Sequence, residues 1–214
     1  MLEDVLLIEE KHRRVAKGIV EEILKNRKDK FIVAVSGESG SGKSELTHVT
    51  AKLLRAGNIF AKPVHLDNFF KTLPLERKEW RIKNGIENVV GINEIDWEKV
   101  NKTVDDFKNG RESAMPCVDL VTEQVDTLIT DFSGIDILVL DGLYAINTPG
   151  VDLKVFIELT YHETKKAQSS RGKEKTDEIR MRVLEAEHKA VLSLKSKADL
   201  FVNKNYQLVK AKSQ

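Results

Sequence analysis

The chain has 214 residues, with 35 Lys plus Arg against 34 Asp plus Glu, so its formal net charge is +1. A balance that close gives neither nucleic acid nor an anionic membrane surface a dominant charge to follow. Hydrophobic residues at 41%, charged residues at 32%, and only 12 Gly and 4 Pro exclude a collagen-like or disordered chain and fit one helix-rich folded domain.

The single Cys117 cannot close an intrachain disulfide, and no Cys/His cluster marks structural zinc, which fits a reducing cytoplasm. No run approaches the roughly 18 apolar residues of a membrane span. The first residues mix Glu3, Asp4, Glu9 and Glu10 with Lys11, Arg13 and Arg14, unlike a signal peptide.

Residues 2–27 read as one amphipathic helix, because Val15, Ala16, Ile19, Val20, Ile23 and Leu24 recur at three-to-four spacing. The β-branched run Phe31–Val35 reads as a buried parallel strand and leads into a Gly/Ser-rich stretch, after which Leu46, Val49, Leu53 and Leu54 trace a helix ending near Gly57. A second strand is expected over 61–66, ending at Asp67. Two charged helical segments follow, about 75–84 and 96–109, and then a hairpin or flap over 115–120 and 124–130. Further buried strands are expected over 135–140 and 154–159, a long charged helical region over about 162–195, and a last short strand at 199–202. Strands alternating with helices predict an α/β fold with a mostly parallel sheet, whose ligands bind beyond the carboxyl ends of the strands.

The segment Gly37-Glu38-Ser39-Gly40-Ser41-Gly42-Lys43-Ser44 satisfies the phosphate-binding loop pattern, with the required strand before it and helix after it. Its glycines let successive N–H groups turn inward around phosphate oxygens, and the helix starting near Gly42 adds its positive dipole end. Lys43 supplies a point charge for the β- and γ-phosphates, and the Ser44 hydroxyl is placed to ligate Mg²⁺. The loop is therefore expected to bind a nucleoside triphosphate through all eight residues. Asp141, closing the strand Leu138-Val139-Leu140, is expected to hold the metal directly or through water. Asp67 ends the second strand on the same sheet edge, where its carboxylate can orient an attacking hydroxyl and accept its proton.

His65-Leu66-Asp67-Asn68-Phe69-Phe70, Ile95-Asp96-Trp97, Pro116-Cys117-Val118-Asp119, Asp141-Gly142 and Arg171-Gly172, together with the glycine loop, resemble the uridine kinase and phosphoribulokinase family of small-molecule kinases. The resemblance covers about residues 30–209, leaves 1–29 as a helical extension, and implies a P-loop NTPase fold of three αβα layers with a small flap and a helical lid. It implies one kinase domain, ATP and Mg²⁺ as cofactors, Asp67 as catalytic base, a small hydroxyl-bearing metabolite as partner, and room for homo-oligomers. The lid is placed at about 162–182, with Arg171 as its catalytic cation and Lys166 and Lys173 behind it. Phe70, Asn93, Val118 and Glu123 are the expected acceptor-binding positions. Three of these depart from the family: uridine kinases carry an Asp, a Tyr and a His where Asn93, Val118 and Glu123 stand here. Val118 and Glu123 cannot offer the same ring stacking or hydrogen-bond donor. Uridine, cytidine, pantothenate, ribosylnicotinamide and sugar acids or phosphates all remain open as acceptors, as does a regulatory module that binds nucleotide without transfer.

Strand alternation would send His65 and Asp67 to one face, where His65 can give supporting hydrogen bonding. His48 reads as a packed or exposed helix residue rather than a catalytic one, Cys117 as inert, and Trp80 and Trp97 as anchors of the charged segment, with the lining of the acceptor pocket as the alternative. Asn203-Lys204-Asn205 is similar to a guanine-reading motif, but Tyr206 stands where its carboxylate should be.

Overall fold

The computed structural model describes residues 5–164 and 177–211. Its centre is a six-stranded sheet in the order β2-β5-β1-β6-β7-β8. The strands are β1 (Phe31–Gly37), β2 (Ala61–His65), β5 (Ile137–Gly142), β6 (Leu153–Ile157), β7 (Leu200–Val202) and β8 (Leu208–Lys210). All neighbours pair in parallel except β7 and β8. A separate antiparallel hairpin joins β3 (Glu112–Val118) to β4 (Val125–Asp131), which is the expected flap.

Every residue of β1 is buried, because the sheet is covered on both faces. Its alternating side chains feed two cores. Phe31, Val33 and Val35 pack with Val15, Ile19 and Ile23 of α1 (Glu10–Asn26) and with Leu46 and Leu54 of α2 (Lys43–Ala56). Ile32 and Ala34 pack on the opposite face with Phe107 of α5 (Trp97–Lys108), Phe132 and Val191 of α6 (Glu178–Leu192). The result is the mostly parallel α/β sheet that the alternation predicted, in the three αβα layers that the resemblance implied. α3 (Pro74–Asn84) and the short α4 (Ile86–Val89) lie in the charged segment between β2 and α5.

The N-terminal helix is shorter than its periodicity predicts. Glu9 caps it, and its N–H donates to the His12 ring at 2.9 Å, so residues 5–9 run non-helical into the first turn. β8 was not anticipated, being only three residues of an antiparallel edge. The long helical region divides into a turn at 161–164 and α6, with 165–176 outside the described residues.

Candidate phosphate-binding and phosphotransfer site

Strand register sets the site. Val35 pairs with Asp141, and His65 pairs with Asp141 from the other side, so three strands deliver the glycine loop, Asp141 and the Asp67 turn to one carboxyl edge. Gly142 keeps the last two close: a Cβ there would sit 2.6 Å from the Leu66 Cβ. Asp67 lies not in the strand but in a 3₁₀ turn, Leu66–Phe69, which removes it from the alternation that was to align it with His65.

The Ser44 hydroxyl donates to Asp141 Oδ2 at 2.7 Å, and the His65 Nδ1–H donates to Oδ1 at 2.5 Å. The hydrogen bond expected of His65 thus goes to Asp141. Burial alone would raise the Asp141 carboxyl, but His65, the Ser44 hydroxyl and the Lys43 charge outweigh it and hold it below the usual carboxylate range. His48 stacks on His65 with centroids 5.2 Å apart and donates through Nδ1 to the Ser44 carbonyl at 2.9 Å, the packed one of the two roles expected of it. Lys43 Nζ reaches back across the loop to the Glu38 carbonyl at 2.9 Å. Ser44 and Asp141 present hard oxygen donors in contact with each other, a set that fits Mg²⁺.

Glu38, one of the eight loop residues expected at the nucleotide, turns its side chain inward. It is buried, accepting from the Tyr161 N–H at 2.7 Å and from His188 Nδ1 at 2.6 Å. Its carboxylate therefore ties the loop to α6 and the 161–164 turn, leaving only its main chain to the loop.

The Asp67 carboxylate accepts no hydrogen bond from the described residues, and around it gather several of the expected acceptor positions. Phe70 bridges to Ile95, the Asp96 N–H donates to the Phe69 carbonyl at 2.7 Å, and the Val118 N–H donates to Asn68 Oδ1 at 3.1 Å. Those contacts bring the Asp67 turn, the Asn93 turn and the hairpin together. Val118 is itself buried and Asn93 exposed. Glu123 sits apart, exposed at positive φ on the hairpin loop, with no hydrogen bond or ion pair to the described residues, so the structure does not gather it with the others. Arg171, Lys166 and Lys173 fall outside the described residues. Trp97 anchors as expected, its Nε1 donating to the Ile92 carbonyl at 2.8 Å.

Sequence reading missed a charged cluster behind Asp67. Arg81 makes a bidentate pair with Glu94 at 2.7 and 3.0 Å and lies 3.6 Å from Glu187. Burial pushes the Glu187 carboxyl up against the pull of Arg180 and Arg81. The Tyr144 hydroxyl is buried without a hydrogen-bond partner among the described residues, and burial pushes it upward, with Glu187, Glu94 and Asp67 adding to that. Arg77 lies over the Phe70 ring at 3.8 Å and donates only to Thr72, with no carboxylate within ion-pair distance among the described residues. Burial, helped by the Arg81 charge, lowers its guanidinium from the ordinary value, while Asp67 works the other way. No local pattern separates these residues from the solvated charges beside them, because Arg and Glu are normally exposed.

The family model for phosphoribulokinase and uridine kinase matches residues 32–204. The chain belongs to the phosphoribulokinase/uridine kinase family. A uridine kinase of Ureaplasma parvum serovar 3 is 29% identical over 140 residues; the match takes in 62% of this chain and 64% of that relative, less than two thirds of its length. Among solved structures, a possible uridine kinase from Bacillus stearothermophilus superposes with a TM-score of 0.64 at 18% identity, covering 88% of this chain and 97% of that one. The D-glycerate 3-kinase of Cryptococcus neoformans superposes at 0.59 with 13% identity, covering 96% and 98%. At those identities the two structures speak for the shared P-loop kinase fold. No described helix is long and apolar enough to cross a membrane.

Proposed function

We propose that this chain is an ATP-dependent phosphotransferase that moves the γ-phosphoryl group to a hydroxyl of a small metabolite. The observation that carries the reading is the meeting, at one sheet edge, of the glycine loop, the Ser44–Asp141 pair and an Asp67 carboxylate that accepts no hydrogen bond from described residues. Loop amides and Lys43 would hold the phosphates, and Ser44 and Asp141 would hold Mg²⁺. When bound, that ion neutralises charge on the β- and γ-phosphate oxygens. Asp67 would orient the acceptor hydroxyl and take its proton, and Phe70, Asn93 and Val118 would line the acceptor's approach. The lid cation, Arg171, completes the proposal.

Within this reading one observation favours an anionic acceptor, a sugar acid or sugar phosphate. Arg77 carries a half-buried guanidinium against Phe70 without a carboxylate partner among the described residues, while Arg81 is already committed to Glu94. A carboxylate or phosphate on the acceptor would complete its fork. A protein named as a D-glycerate 3-kinase has the same fold, and an acceptor of that anionic class is what this reading calls for.

The test is ADP release across matched neutral and anionic acceptors, with Asp67→Asn as the control. That substitution should lower turnover by about two to four orders of magnitude while sparing ATP affinity. Full turnover in that variant would remove Asp67 from the chemistry.

A further inference from the structure

A cavity of about 140 Å³ lies against Gly40, Ser41 and Gly42, and neither Ser44 nor Asp141 lines it. Its wall is made in large part by residues outside the 32–204 stretch that the family model matches. Leu7 and His12 are among those from the N-terminal segment and Tyr206 comes from the turn before β8, with Glu45, Glu163 and Thr164 among the rest of the lining.

These outer elements are fastened to the loop and to one another. The Leu7 N–H donates to Glu45 Oε1 at 3.2 Å, in the first turn of α2. The Tyr206 hydroxyl donates to the Ser41 carbonyl at 3.3 Å, its ring meets the His12 ring edge-on at 5.1 Å, and Arg14 reaches the Tyr206 carbonyl at 3.4 Å. The Glu9 N–H donates to His12 Nδ1, so the neutral ring carries its proton on Nε2, the nitrogen that faces Gly42. A segment with no more than a packing role would not need to close on the phosphate loop itself.

The contents of the cavity wall point to a ligand. Ser41 Oγ is buried with no hydrogen-bond partner among the described residues, although it sits in the loop and lines this space. Leu7 is 43% exposed, an apolar side chain held at the rim of a polar loop. Carboxylates at Glu45 and Glu163 can accept from amino or hydroxyl groups, and Leu7, Leu159 and Tyr206 offer apolar and aromatic surface. Direction decides which part of a ligand goes there. If the terminal phosphate lies at Ser44, Asp141 and the Asp67 turn, the other end of the phosphate chain must leave past another part of the loop, and this cavity lies against Gly40–Gly42 without touching Ser44, Asp141 or Asp67.

We propose that residues 7–12, with Tyr206, wall the pocket that takes the base and sugar of the nucleotide, so that the segment outside the family match helps to set donor affinity. The proposal rests on the reading of the loop as a triphosphate site, and the experiment separates the two. Binding of Mg-ATP and of magnesium tripolyphosphate, which has the phosphates and no nucleoside, is measured by calorimetry on the full chain and on Leu7→Ala and Leu7→Trp. The unaltered chain should bind ATP more tightly than tripolyphosphate. Leu7→Ala should weaken ATP about three- to tenfold through lost apolar contact, and leave tripolyphosphate within about twofold. Leu7→Trp, which alters the same wall by addition, should also change ATP affinity and spare tripolyphosphate. Equal affinity of the unaltered chain for the two ligands, or ATP binding indifferent to both substitutions, would overturn the wall. Loss of both ligands together in the variants would make the segment a brace for the loop, which also overturns it. Binding of neither ligand by the unaltered chain would remove the triphosphate site itself.

Discussion

Gly42→Ala tests how tightly the outer elements hold the phosphate loop. Gly42 has φ 93° and ψ 19° at the start of α2, a left-handed conformation that costs a residue with a Cβ about 1–2 kcal/mol. The new methyl would also collide with the Tyr206 hydroxyl and sit 2.8 Å from His12 Nε2. Neither ring can retreat freely. Tyr206 is 4% exposed and bonded to the Ser41 carbonyl, and His12 is held by the Glu9 N–H. Overpacking of that kind adds about 1–3 kcal/mol, so the total penalty should be about 2–5 kcal/mol, a large share of the stability of an ordinary domain. Tyr206→Phe removes the colliding oxygen. On its own it should cost about 0.5–1.5 kcal/mol for a long hydrogen bond. In the double variant most of the collision should vanish while the backbone part stays. Denaturant unfolding of the four proteins gives the coupling directly, and it should be favourable by about 1–2 kcal/mol. An unchanged midpoint in Gly42→Ala, or a penalty of the same size with and without the Tyr206 hydroxyl, would refute the clamp.

Arg77→Gln should raise the KM of an anionic acceptor about 10- to 100-fold, the value of a lost charge-assisted hydrogen bond, with the KM for ATP little changed. A variant with normal acceptor kinetics would leave Arg77 a surface clamp on Phe70. Asp106 receives bonds from Lys102, Ser113 and Arg111 that tie α5 to the hairpin. Burial works to raise its carboxyl, but those bonds win and hold it below the ordinary value. A lowered carboxyl contributes stability above the unfolded value of about 3.9 and loses it as pH falls through the folded value. Asp106→Asn should therefore cost about 1–3 kcal/mol near neutral pH. The gap from the unaltered chain should narrow below about pH 4, and a gap constant with pH in chemical denaturation would contradict the assignment.

The sequence by itself determined what depends on near neighbours. The glycine loop announces itself because its amides, lysine and hydroxyl must fall within eight residues, and the strand before it and helix after it follow from period-2 and 3.6 patterning. The parallel α/β architecture follows from the alternation of such elements, and Asp141 stands out at the end of a buried strand, whereas Asp67, expected to close another, lies in the turn just beyond β2. Where such reading failed, the deciding contact was distant along the chain. Glu38 looks like loop surface until α6 brings His188 to it, 150 residues later. Arg81 and Glu94 look like a solvated charge pattern until α6 covers them, and Arg77 gains meaning only when its neighbour's carboxylate is already taken. His12 and Tyr206, 194 residues apart, meet over Gly42 only because α1 and the β7–β8 turn pack on one face of the sheet. Burial and charge pairing are sums over the whole fold, and no window of sequence contains them.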